Sequence, residues 1–146
     1  MRHLLVVAGL LILASGVAAS AQEVPDLKGA WIPAPGGAHI LDGPTRHSPS
    51  GTAPVPGDDT LKRNATKFVF NIEGQDGRTF WGKLQSTKVS EKLIGAISVD
   101  GKRFIMADED GVFNGVFVDA DTLDYCYAHI TSTDRAVACG LLVREK

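Results

Sequence analysis

Every proline in this chain of 146 residues lies before residue 57, and six of the seven fall between Pro33 and Pro56. From Thr66 to the C-terminus there is none, and nine of the ten aromatic residues lie there. Proline has no amide hydrogen to give to a strand ladder, so a long stretch without it is free to supply central strands. Within that stretch, short apolar runs alternate with polar residues and are separated by QDG, VDG, DEDG, DADT and TSTD. Period-two alternation broken by Asp/Gly turns predicts consecutive antiparallel strands, and no helical periodicity competes with it. Residues 33–60 are instead expected as a Pro/Gly-rich loop, with Ala38-His39-Ile40-Leu41 its one periodic stretch.

Each turn implies a register, because a slip of one residue would send every side chain to the other face. A three-residue loop Gln75-Asp76-Gly77 pairs Ile72 with Phe80, Phe70 with Gly82 and Phe68 with Leu84. A two-residue turn Asp100-Gly101 sets Ile97 against Phe104 and Gly95 against Met106. The DEDG loop then sets Met106 against Phe113, and Asp119-Ala120-Asp121 sets Phe113 against Tyr127 and Phe117 against Leu123. A turn centred between Ser132 and Thr133 brings Cys126 opposite Cys139, Tyr125 opposite Gly140 and Leu123 opposite Leu142. Facing residues on antiparallel strands lie within disulfide reach, so the two cysteines are expected to clasp the last hairpin.

One face recurs throughout and collects the aromatic rings, with Gly82, Gly95, Gly115 and Gly140 set among them. A ring over a bare glycine relieves crowding in a strongly curved sheet. Seven strands are predicted after Thr66, and the LKGAWI stretch adds at least one more. Eight strands suffice to close a small up-and-down barrel and remove the free edges. The fold class is therefore all-β, a meander closed into a barrel of about eight strands, with a two-layer sandwich as the alternative.

The N-terminus reads MRHLLVVAGLLILASGVAASAQ: a basic start, an apolar run from Leu4 to Leu13, and Ala19-Ser20-Ala21 as a cleavage site. This is the layout of a secretory signal covering residues 1–21, and the run is too short to span a bilayer. One domain is expected over residues 22–146. It carries all 17 acidic residues and 14 of the 15 basic ones, for a net charge of −3. That balance gives no basic stripe for nucleic acid. An exported chain with two cysteines favours a disulfide over a metal site.

Leu27-Lys28-Gly29-Ala30-Trp31 resembles the G-x-W opening of the first strand in calycin barrels, the superfamily of lipocalins, fatty-acid-binding proteins and avidins. The resemblance implies that Trp31 closes one barrel end and packs against a basic residue of the last strand, for which Arg144 is placed. Avidins follow the tryptophan with polar ligand-binding residues, where this chain has Ile32-Pro33, so biotin binding is not implied. Stacking of a guanidinium on an indole accounts for the Trp31–Arg144 pair as an end plug; a ligand contact is the alternative.

No nucleophile motif, phosphate-cradling loop or metal-ligand spacing is present, so no enzyme, cofactor or metal is expected. Asp108-Glu109-Asp110 and Asp119/Asp121 are read as solvated turn formers at opposite barrel ends, and His129 as a rim residue with no carboxylate near it on its face. The second face of the later strands is apolar, with Ile94, Ile105, Val112, Val116, Val137 and Leu141 among its residues. Such a wall is to be covered either by the proline-rich segment or by a second copy of the chain. The leading expectation is an exported, periplasmic or secreted bacterial barrel that binds an apolar or aromatic small ligand. Trp31, Phe70, Phe104, Tyr125, Tyr127, His129 and Arg144 are its candidate contacts. The alternative is an interaction or inhibitor module acting through the proline-rich loop or the outer wall.

Overall fold

The computed structural model describes residues 23–44, 52–64 and 66–146. The expected signal segment, residues 1–21, lies outside them. Among the described residues, eleven strands form one antiparallel sheet. β1 (Gly29–Pro33), β5 (Val69–Asp76), β6 (Thr79–Gln85), β7 (Ser90–Ile97), β8 (Arg103–Ala107), β9 (Gly111–Asp119), β10 (Thr122–Ile130) and β11 (Arg135–Arg144) close into a barrel. Closure comes from β1, which pairs Trp31 with Phe70 on β5 and with Arg144 on β11. The barrel excludes the sandwich.

Residues 33–60 are not a plain loop. The chain turns at Pro35-Gly36 and resumes as β2 (Ala38–Asp42), which runs along β11 beyond β1 and pairs Val137 with Ile40. β3 (Thr52–Val55) and β4 (Asp58–Asn64) extend the sheet from β2. Proline is tolerated here because β3 is an edge strand, where Pro54 needs no outer partner. The segment therefore lengthens the sheet beside β11 and leaves Ile94, on β7, 63% exposed.

The hairpin registers after β6 agree with the sequence reading, including Cys126 opposite Cys139 and Phe113 opposite Tyr127. The β5–β6 register differs. Ile72 pairs with Gly82 and Phe70 with Leu84, and the strands end in a two-residue turn, Gly77-Arg78. A bulge between Ile72 and Gly74 absorbs the difference, so Phe70, Ile72, Phe80 and Leu84 still face inward and are buried. Gly74 accommodates the bulge because the Trp81 indole lies where its Cβ would be.

The buried inward side chains of the barrel strands form one core with Leu27 and Trp31, against which Phe68, Phe117, Tyr125 and Tyr127 pack. Rings lie over glycine where the sheet bends: Phe80 against Gly95 and Phe104 against Gly115, with no room for a Cβ at either. The Cys126–Cys139 disulfide sits on the outer surface, its Cα atoms 4.1 Å apart. It is compatible with an oxidising, extracytoplasmic location. Among the described residues no helix is long and apolar enough to cross a membrane.

Candidate functional site

The two ends of the barrel are filled differently. At one end, Trp31 is buried beneath the Arg144 guanidinium, which stacks 4.2 Å from the indole centre. Trp31 Nε1 donates to the Leu27 carbonyl at 2.8 Å. Arg144 donates to the carbonyls of Lys28, Asp26 and Ala120 and forms an ion pair with Asp121 at 2.8 Å. Gln75 completes the plug: its Oε1 accepts from Leu27 N and its Nε2 donates to the Pro25 carbonyl, both at 2.8 Å. A void of about 10 Å³ remains among Trp31, Phe80, Phe104 and their neighbours, room for no more than about one water.

At the other end lies a cavity of about 270 Å³. Phe68, Phe70, Leu84, Phe113, Tyr125 and Tyr127 form its inner wall. Two features of the chain make the space. The inward positions of β11 change from Leu142 to Gly140, Ala138 and Ala136, which face Tyr125, Tyr127 and His129. The closing strand also breaks after Pro33, where Gly37 approaches the backbone of Cys139 and Gly140 so closely that a Cβ would meet the Cys139 carbonyl at 3.1 Å. Phe113 packs edge to face on Phe70, 5.3 Å between ring centres, and lies tilted by 37° against Tyr127 at 4.4 Å.

The rim of the cavity is polar. Tyr127 Oη donates to Asp110 at 3.1 Å and lies 3.2 Å from His129 Nδ1. His129 Nε2 meets Asp134 Oδ1 at 2.5 Å, and His129 Nδ1 lies 3.9 Å from Asp110. The reading of His129 as lacking a nearby carboxylate is thus corrected: the TSTD and DEDG turns fold over this end and each brings one. Burial holds the Tyr127 phenol protonated well above its ordinary range, reinforced by the negative charges of Asp108 and Asp110, its bond to Asp110, and Glu91. Asp134 is held below the usual carboxylate range, first by its bond to His129. Burial likewise raises Tyr125.

Asp108 is a turn former, its Oδ1 accepting from Gly111 N at 2.7 Å. It is not solvated in the way the sequence suggested, for Asp108 and Asp110 are partly buried beside Glu91, which is 1% exposed. One oxygen from each of the three lies within 4.8 Å of the others. Oxygens so grouped are the donor type that hard cations such as Ca²⁺ take, though three fall short of the six or more Ca²⁺ needs. Asp119 and Asp121 lie at the plugged end, as expected. Glu91 escaped the sequence reading, although it stands two residues from Leu93 on the inward face of β7. Ala136 and Ala138 were legible in the same way, as small residues in alternation opposite His129 and Tyr127.

Of the candidate contacts, Phe70, Tyr125, Tyr127 and His129 come together around the cavity. Trp31 and Arg144 form the plug, and Phe104 packs in the filled half against Phe117, 5.5 Å between ring centres. No protein-family model matches this chain, and no curated protein or solved structure matches it.

Proposed function

We propose that this protein is an exported carrier that binds a small apolar or aromatic molecule in the wide end of its barrel. The observation that carries this reading is the aromatic cavity of about 270 Å³ with a hydrogen-bonded rim, set against a plugged opposite end. Apolar walls supply most of the transfer free energy, and a few fixed polar groups orient the ligand. Phe70, Phe113 and Tyr125 would hold a flat or branched apolar body, and Tyr127 and His129 would face its polar end. The reading needs no catalytic step. The stacked Trp31–Arg144 pair supports the likeness to calycin barrels, and the disulfide supports a periplasmic or secreted setting.

Native mass spectrometry of protein purified without denaturant tests it. A copurifying small molecule is expected, released on unfolding and absent from Ala138→Leu, which fills the cavity from β11. Protein that is free of bound mass and that fails to enhance the fluorescence of Nile red, an apolar probe, would set the reading aside.

A further inference from the structure

The outward side chains of β7 to β11 fall into rows set by the strand register. One row runs Ile94, Ala107, Val112, Ala128, Val137. From Val112 on β9 it reads nearly the same in both directions, an alanine first and then a branched aliphatic. Ile94 and Val137, at its two ends, are 63% and 50% exposed. A second row runs Arg103, Val116, Asp124, Leu141, with Val116 of β9 between opposite charges. Adjacent strands lie about 4.8 Å apart, so Arg103 and Asp124 stand two strands and roughly 10 Å from each other. Among the described residues neither of them is in an ion pair.

We infer that this wall is the meeting face of two copies of the chain, packed sheet on sheet about a two-fold axis lying along β9. That operation preserves position along the strand and exchanges the two sides of β9. Val112 and Val116 then meet their own counterparts. Ala107 of each copy lies over Ala128 of the other and Arg103 over Asp124, so the ion pair forms twice. Asn114, between Val112 and Val116 on β9, falls on the axis, where its amide has both a donor and an acceptor for its counterpart. Sheets packed face to face keep their strand directions nearly aligned, as this axis requires. An unrelated partner places no demand that apolar rows and charges be exchanged across one strand, whereas a two-fold contact does. The inference is independent of the ligand reading.

Sedimentation velocity of the full chain over a wide concentration range tests it. A reversible dimer is expected. Arg103→Asp and Asp124→Arg each create two like-charge contacts by symmetry, and each alone is expected to weaken association by about tenfold or more. An equimolar mixture of the two variants restores dimers, because every cross-contact again joins opposite charges, and the double variant R103D/D124R dimerises by itself. A wild-type chain that stays monomeric at all concentrations overturns the inference. So does a dimer indifferent to both substitutions, a loss that mixing does not repair, or a monomer that instead seats this wall on phosphatidylcholine vesicles.

Discussion

Beneath Trp31 the barrel leaves a void of about 10 Å³, while beyond Tyr125 the same strands enclose about 270 Å³. Strand number is common to both ends, so it does not explain the difference. What changes is the side chain at each inward position and the path of one strand. β11 presents Leu142 to the plugged half and Gly140, Ala138 and Ala136 to the open half. β1 seals the lower wall through Trp31, then breaks at Pro33 to Gly37, so that β2 runs between β11 and β4 and does not pair with β5. A small barrel that would otherwise fill itself thus gains a pocket from three small residues and one strand break.

The contrast is breakable, first at its filled side. Trp31→Ala removes an indole that is 1% exposed and leaves Arg144 without its stacking surface; a loss of about 3–5 kcal/mol is expected in urea denaturation. Loss of less than about 1 kcal/mol would mean the plug is loosely packed. Next is the clasp between the strands that line the cavity. Replacing Cys126 and Cys139 together by alanine should cost about 3 kcal/mol, from restored freedom of the unfolded chain. Amide exchange should quicken toward Ala136 and His129 more than toward Leu142, since the plug still fixes the lower half of that hairpin.

At the open side the expected effects are smaller. Tyr127→Phe removes the bond to Asp110 but keeps the ring against Phe113, so a loss of about 1 kcal/mol is expected. The smallest effect is a pH dependence. Asp134 titrates lower in the folded than in the unfolded chain, so its contribution is complete above about pH 4 and is lost as pH falls further. Asp134→Asn should remove that part of the acid sensitivity and leave the rest; an unchanged acid profile would show that the His129–Asp134 contact carries no stability.

Much of this contrast was legible from the order of residues alone. Alternation fixes which side chains turn inward, and that survives a misjudged register, as β5 and β6 illustrate. There the changed turn and the one-residue bulge before Gly74 together leave the pairing two positions from the expected one, without changing the face. The pairing of Trp31 with Arg144 was implied by the G-x-W resemblance and not by the strand pattern, and the closed barrel sets the two residues opposite each other. The cavity was harder to foresee, because emptiness depends on volumes summed across strands, not on the pattern along one. The carboxylates of Asp134 and Asp110 beside His129 were missed for a related reason. Turns point away from the strand lattice, and where they fold back is set by backbone geometry at Thr131 and Asp108, whose side chains anchor the turns.

The claim on which the rest depends is that one end of this barrel admits a guest and the other does not. An NMR titration of the assigned backbone amides with Nile red tests it most directly. Shifts are expected at Phe113, at Tyr125 to His129 and at Ala136 to Gly140, with Trp31, Ile72 and Leu142 unmoved. Shifts centred on Trp31, or none at any inward-facing residue, would contradict it.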